Sequence, residues 1–404
     1  MFDARPPDTA DTFAGSGRAA LLPAGFLALG TFAIGTEGFM IAPLLPRMAA
    51  DLGMPVPEVA TLVVVFTLAL ALSSPVTTVL TGRMSRRRVL LLAMGLFTLG
   101  NFLAAWSPGF AVLMAARVLM AVAAGLYTPA ANALAGAVVA PGLRGRALAI
   151  VSGGMTIAIA LGLPLGALVG HAFGWRATFL AVALMGLVAL AGILGGIARE
   201  AGSGQAVAGL RARISVIGQR RVRRLLAVTL FWSVGAYAAY PYIAEYLSAV
   251  LGFGAGGIGA AVSMWGVFAA LGVVAGGMLN DRFGSLRVVR GSLVLLGLSF
   301  WALAAATGLG AQAALLPVLG AIAAWGFSVW SFFPAQMARL IAAGPGEQAG
   351  VALALNTSTM YLGFSLGSAA GAGILGSGAL WGIGVLAGCS ELVSLLLDRR
   401  AEAA

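Results

Sequence analysis

Residues 25–47 read GFLALGTFAIGTEGFMIAPLLPR, a long apolar run with one carboxylate, Glu37, deep inside it. A helix rises about 1.5 Å per residue, so about 20 apolar residues cross the hydrocarbon core of a bilayer. Arg47 follows Glu37 by ten residues, which corresponds to roughly 15 Å of helix and about half of that core. A charged side chain at this depth costs roughly 2.5–3.5 kcal/mol on insertion scales. We therefore predict a membrane-spanning helix in which Glu37 has a function.

The composition indicates that the whole chain is a membrane protein. Of its 404 residues 60% are hydrophobic and only 9% are charged, whereas soluble domains carry about 25% charged residues. The net charge of +11 comes from arginine, because the chain has no lysine. These arginines lie between apolar segments, a pattern that favours membrane topology over nucleic-acid binding. One cysteine (Cys389) and one histidine (His171) exclude an internal disulfide and a Cys/His zinc site, and no cofactor is expected.

Apolar runs bounded by Arg, Pro and Gly predict twelve spans. They lie near residues 21–45, 58–80, 88–106, 109–138, 147–170, 177–198, 225–248, 256–280, 287–307, 313–337, 347–374 and 378–397. The predicted outer loops hold only Arg47 and Arg176, while the inner loops are rich in arginine, so both termini are expected in the cytoplasm. The expected segments are a disordered N-terminus (1–19), a first six-helix bundle (20–198), a basic cytoplasmic linker (199–224), a second six-helix bundle (225–398) and a cytoplasmic tail (399–404).

The two halves resemble each other. TVLTGRMSRRRVL (78–90) follows the second span and GMLNDRFGSLRVV (277–289) follows the eighth, so that Arg83 and Arg282 correspond with an offset of 199 residues. Two similar six-helix bundles joined by a cytoplasmic loop form the architecture in which a central cavity opens to each side in turn. The predicted fold class is thus an all-α membrane protein with two pseudo-symmetric bundles.

Four motifs in order carry a family resemblance. They are FAIGTEGFMIAPLLPRMAADLG (32–53), LMAARVLMAVAAG (113–125), GLPLG (162–166) followed by GWRATF (174–179), and GMLNDRFG (277–284). Together they resemble the major facilitator superfamily, specifically its twelve-span drug:proton antiporters and the branch of sugar-efflux and chloramphenicol-resistance transporters. The resemblance implies a monomeric inner-membrane protein whose partners are a small-molecule substrate, protons and lipid. It also implies gating by Asp281 and Arg282; in the first half Gly82 replaces the corresponding aspartate, so no gating role is expected there.

Glu37 and Arg117 are the predicted proton-coupling pair. Arg117 lies eight residues into the fourth span, roughly 12 Å from the outer face and thus near the depth of Glu37. Burial and a neighbouring arginine shift the pKa of a carboxyl group in opposite directions, which suits a group that binds and releases protons. A static ion pair that holds the two spans together is the alternative.

Further candidates follow from the same motifs. In the resembled antiporters the motif formed by Gly162, Pro164 and Gly166 seals the cavity against protons. The same residues would also be expected if they served only to pack helices closely. Aromatic and amide side chains on spans expected to line the cavity suit an amphiphilic or planar organic substrate, although Tyr and Trp also form interfacial belts. The predicted substrate-binding residues are Tyr127, Asn132, Tyr240, Trp330 and Asn356. Glu391 is expected to extend to the inner interface rather than to act in transport.

The predicted function is secondary active transport, namely proton-coupled export of small organic compounds or drugs across the bacterial inner membrane. A dedicated exporter of a metabolite such as a sugar, nucleoside or amino acid is the alternative. An enzyme is disfavoured because no catalytic constellation is present, and a channel because no repeated charged rings occur. Without lysine there is no GxxxxGK[ST] nucleotide loop, so the energy must come from an ion or substrate gradient.

Overall fold

The computed structural model describes residues 21–139, 141–199, 215–344 and 347–402, and these residues form helices with no strand among them. The predicted N-terminal segment 1–19, most of the linker and the end of the tail lie outside the described residues. The long helices are α1 Leu22–Leu52, α2 Val56–Leu80, α3 Arg86–Ala105, α4 Phe110–Ala137, α5 Arg144–Phe173, α6 Trp175–Gly196, α7 Arg220–Leu251, α8 Ala255–Phe283, α9 Ser285–Ala306, α10 Ala311–Ala343, α11 Glu347–Gly376 and α12 Leu380–Glu402.

Eleven helices of the described part are long and apolar enough to cross a membrane. The remaining long helix, α11, has 30 residues and is therefore long enough, but Asn356, Thr357, Ser358 and Thr359 follow one another within it. This polar stretch lowers its hydropathy relative to the other helices. The all-α membrane class is confirmed, while the number of twelve spans and the cytoplasmic location of the termini stay predictions.

The first six helices pack on one another, and so do the last six. α1 packs against α5 and α6, and α4 packs against α2 and α3; in the second half α7 packs against α11 and α12, and α10 against α8 and α9. The two groups meet through α2 with α11 and through α5 with α8. α1 packs against helices of its own half and also contacts the second half. It is therefore the helix that positions the candidate site.

α1 and α7 are interrupted in the same way. Pro43 lies in a 3-10 turn at Ala42–Leu44, and Pro241 lies in a 3-10 turn at Tyr240–Tyr242. Proline lacks the backbone N–H that a continuing α-helix needs, so the helix breaks at each position. Both helices then end at a glycine with left-handed backbone, Gly53 (φ 64°) and Gly252 (φ 66°). The offset between these glycines is 199 residues, the same as that of the loop motifs, and the two 3-10 turns contact each other.

We predict that α11 crosses the membrane despite its polar stretch. In a Cys389→Ser background, a cysteine at Ser203 and a cysteine at Ser377 should lie on opposite sides, because five helices, α7 to α11, separate them. A membrane-impermeant maleimide should label Ser377→Cys in intact cells and label Ser203→Cys only after permeabilisation. If α11 did not cross, both positions would share one side and show the same labelling.

Candidate functional site

A buried ion pair joins the first and fourth helices. A guanidinium nitrogen of Arg117 contacts Oε1 of Glu37, and both side chains have 0% exposure to solvent. The two depths estimated from the sequence therefore correspond to an actual contact. Breaking such a pair by removing one partner typically costs about 3–5 kcal/mol, because it leaves an uncompensated buried charge. The two side chains thus depend on each other in this conformation.

The pair has few other polar neighbours. The Arg117 guanidinium lies 3.9 Å from the centre of the Phe66 ring of α2, an arrangement that favours a cation. Apart from their mutual contact, the polar side-chain atoms of Glu37 and Arg117 have no hydrogen-bond partner among the described residues, and neither has the Thr36 hydroxyl. The site therefore retains unused hydrogen-bonding capacity in a buried position.

Glycines of α5 bring it against the Glu37 segment of α1. A Cβ at Gly162 would collide with the Thr36 side chain, and one at Gly166 would lie 2.8 Å from the Cβ of Met40. The helices are also joined at both ends, since Thr31 Oγ1 donates to Val151 O at 2.8 Å and Arg47 donates to Gly170 O at 2.8 Å. Small residues allow this close approach between membrane helices.

α5 changes its winding beside Glu37. Residues Ala158–Gly162 form a π-helical turn, and Pro164 lies at the start of the α-helix Leu163–Phe173 that follows. Pro164 cannot donate a hydrogen bond to the preceding turn, and a wider turn accommodates the interruption. The GLPLG stretch therefore gives α5 both a close contact with α1 and a local irregularity at the depth of the ion pair.

Phe39, two residues after Glu37, lies in an aromatic cluster that joins the two halves. Its ring centre is 5.8 Å from Tyr240, 6.4 Å from Trp265 and 5.9 Å from Trp330. The Tyr240 hydroxyl also donates a hydrogen bond to the Phe39 carbonyl oxygen at 2.9 Å. We call these four residues the Phe39 cluster. A second hydrogen bond between the halves runs from Ser365 Oγ on α11 to Val64 O on α2 at 2.9 Å.

Comparison with known proteins identifies the family. The family model described as Major Facilitator Superfamily matches residues 27–368. The chain belongs to the major facilitator superfamily. The superfamily consists of transporters, so the predictions of a transporter rather than an enzyme and of a multi-pass plasma-membrane protein are confirmed. Its members bind small molecules and lie in contact with membrane lipid, which confirms those two predicted partners.

Relatives cover nearly the whole transporter. The chain is 31% identical to a chloramphenicol resistance protein of Streptomyces lividans over 92% of this chain and 95% of that one. It is 31% identical to the uncharacterized MFS-type transporter YbcL of Bacillus subtilis, covering 85% and 86% of the two chains. The inner membrane transport protein YdhP of Escherichia coli (strain K12) is 27% identical over 87% of this chain and 88% of its own.

The fold matches solved transporters. A bacterial homologue of the human lysosomal transporter Spinster, in an inward-facing and unoccupied conformation, superposes with a TM-score of 0.72 at 16% identity, covering 96% of each chain. The human organic anion transporter MFSD10 superposes with a TM-score of 0.66 at 17% identity, covering 95% of this chain and 100% of that one. At these sequence identities the superpositions are evidence for the fold alone. They confirm the predicted fold, an all-α membrane protein.

The structure places the predicted substrate residues in different surroundings. Tyr240 and Trp330 lie in the Phe39 cluster and Asn132 is exposed. Tyr127 is buried and donates its hydroxyl to Leu27 O at 3.0 Å, which links α4 to α1. Asn356 is buried, and its Oδ1 accepts from the Thr229 hydroxyl at 2.6 Å. Tyr127 and Asn356 thus bind protein groups in this conformation, and a role for any of the five in substrate binding stays a prediction.

The gating and acidic residues of the second half differ from each other. Asp281 and Arg282 are exposed at the end of α8, where the Arg282 guanidinium lies 5.2 Å from the Phe283 ring centre. The expectation that Glu391 reaches the inner interface is wrong, because its side chain is buried with 1% exposure.

The sequence analysis also missed Thr36, Phe39 and Trp265. Their positions depend on how the helices pack, and an unbroken apolar pattern gives no signal for them.

We predict that Gly162→Ala destabilises the transporter. The added methyl group collides with Thr36, and overpacking of this kind costs about 1–3 kcal/mol. The variant should lose thermal stability in detergent and should leak protons through reconstituted vesicles. Gly153→Ala is the matched control on the same helix, since a Cβ there meets nothing within 4 Å. Equal thermal stability of the two variants would contradict the packing argument.

We also predict that the Tyr240 hydroxyl holds the halves together. Tyr240→Phe keeps the ring but removes a hydrogen bond worth about 1 kcal/mol, which should shift the population about fivefold toward conformers separated at this end. Spin labels at Ala50 and Ser248 in a Cys389→Ser background would report the distance. Tyr246→Phe is the control, because its hydroxyl bonds Leu303 O at 2.7 Å within the second half. An equal shift in both variants would overturn the assignment.

Proposed function

We propose that this transporter exports small organic compounds in exchange for protons, and that the Glu37–Arg117 pair is the element that responds to the proton. The burial of both charges at the point where α1 meets α4 carries the proposal. The chloramphenicol resistance protein, similar over 92% of this chain, supports export of drug-like compounds. The transporter is proposed to act as a monomer.

The coupling follows from the different chemistry of the two side chains. Glu37 can bind a proton and become neutral, whereas arginine stays charged in proteins. Protonation of Glu37 therefore leaves Arg117 as a buried cation without its counterion, which is strongly unfavourable. A rearrangement that brings Arg117 toward water or toward a substrate relieves this cost. Proton binding and the conformational change are thereby linked through one contact.

The Phe39 cluster supplies the mechanical part of the proposal. α1 carries Glu37 and Phe39 within three residues, so a shift of α1 at the ion pair also acts on the contact with Tyr240. If the arginine-poor loops face outward, this cluster joins the halves toward the outer side, and the exposed Asp281 and Arg282 lie at the inner end of α8. They would pair with the opposite half only after the inner side closes. The proposed motion displaces the two six-helix bundles relative to each other, with the 199–224 segment as their cytoplasmic linker.

We predict that Glu37→Gln abolishes pH-driven transport. Proteoliposomes with an imposed pH gradient would be loaded with chloramphenicol and a panel of small organic and metabolite substrates, and both substrate efflux and proton uptake would be measured. Proton movement in response to substrate should fall at least tenfold in the variant. Glu58→Gln, at an exposed carboxylate of α2, is the control and should transport normally. Unchanged coupling in Glu37→Gln would refute the role of Glu37, and a metabolite as the sole substrate would favour the dedicated exporter.

A double substitution separates coupling from a static brace. Replacing a buried ion pair by apolar residues of similar volume is often neutral or stabilising. We predict that Glu37→Met combined with Arg117→Met regains the stability that Arg117→Met alone loses, yet remains inactive in transport. Thermal unfolding in detergent and transport by the same preparation measure the two properties. Full recovery of transport in the double variant would show that the pair serves only as a brace.

A further inference from the structure

A second acidic side chain is buried in the membrane region of the other half. Glu391 lies on α12 with 1% exposure, and neither carboxyl oxygen has a hydrogen-bond partner among the described residues. An intramembrane acid is costly and usually serves a function. Unlike Glu37, this residue has no ion-pair partner among the residues that the structure describes.

Two glycines shape the space that the carboxyl group occupies. A Cβ at Gly235 of α7 would collide with Glu391 Oε1 and would lie 2.8 Å from Ala387 O, and a Cβ at Gly297 of α9 would lie 3.4 Å from the Glu391 Cβ. On either side of Glu391, Ser390 Oγ donates to Phe231 O at 2.7 Å and Ser394 Oγ donates to Val228 O at 2.8 Å. The group is therefore enclosed between α7, α9 and α12.

The charged and titratable groups on the packed helices lie at a distance. Asp398, two turns along α12, is bound by Arg290 of α9 at 2.8 Å and by Arg339 of α10 at 2.5 Å. The four arginines of α7 lie in its first turns, eleven or more residues before Gly235. Tyr237 stacks on Phe364, and Tyr361 meets the same ring edge-on. Glu347 begins α11, and Arg287 lies in the first turn of α9.

An ionised carboxylate in such surroundings lacks both water and a counterion, so the neutral acid is strongly favoured there. α7 connects this acid to the site in the first half. Gly235 packs on Glu391, and five residues later Tyr240 donates its hydrogen bond to the Phe39 carbonyl. In the proposed cycle, separation of the halves at the Phe39 cluster also displaces α7 against α9 and α12 and so changes one wall of the Glu391 site.

We propose that Glu391 is a second proton-binding site, which takes up a proton when the halves separate at the Phe39 cluster, carries it in this conformer and releases it to the inner side. On release the O–H bond of the carboxylic acid breaks and the proton passes to water on the inner side. The carboxylate that remains takes up a proton again from water that enters when the halves separate at the Phe39 cluster. This inference rests on the proposed proton-coupled export and adds a second proton to each cycle, one on Glu37 and one on Glu391.

The proton-to-substrate ratio tests the proposal. In proteoliposomes, the pH gradient that just balances a known substrate gradient gives the ratio, which should be two in the unmodified transporter and should fall to one in Glu391→Gln. Glu391→Asp should restore the higher ratio, and Glu58→Gln should leave it unchanged. Infrared difference spectra between the two conformers should contain a neutral-carboxyl C=O band that Glu391→Gln lacks.

The outcomes separate this inference from the proposed function. A ratio of one in the unmodified transporter, or an equal ratio in Glu391→Gln, overturns the second proton site while proton-coupled export stands. Transport that ignores the pH gradient altogether overturns both. Because the ratio is also measured on the unmodified protein, the test does not depend on the folding of the variant.

Discussion

The contact between Glu37 and Arg117 is the constraint on which the arrangement of the first half depends. Both charges are removed from solvent, and neither is compensated by another charge among the described residues, so each makes the other tolerable in the interior. This requirement fixes α1 against α4 at one depth. Because a proton can neutralise only the glutamate, the same contact is also sensitive to proton binding.

The residues around Glu37 extend this constraint to the rest of the molecule. Thr36 and Met40 face the glycines of α5, Glu37 meets α4, and Phe39 enters the aromatic cluster of the second half. Four of the five residues 36–40 thus contact three different parts of the molecule. Side chains on successive positions of a helix point in different directions, which allows one short segment to serve all of these contacts. A displacement of residues 36–40 therefore changes contacts in both halves.

The repeat gives the two halves a matched pair of interrupted helices with different chemistry. α1 and α7 break at corresponding prolines and meet at their 3-10 turns. Glu37 of the first half has an arginine partner, whereas Glu391 of the second half lies enclosed without one in the described part of the chain. Irregular helices near the centre of the bilayer are a common basis of transport sites. The two halves thus have a similar backbone but differ in how their buried acidic side chains are paired.

The sequence alone determined the membrane class, most helix positions, the repeat, and the similar depth of Glu37 and Arg117, because hydropathy, loop charge and residue counts along a helix report depth directly. Only the tertiary structure decided which side chains face each other around that depth. The packing of Thr36 on Gly162, the Phe39 cluster and the enclosure of Glu391 all depend on the tilt and rotation of helices, which neighbouring helices set. Glu391 shows the difference: its distance from the end of α12 permitted a surface position, but Gly235 and Gly297 on facing helices hold it in the interior.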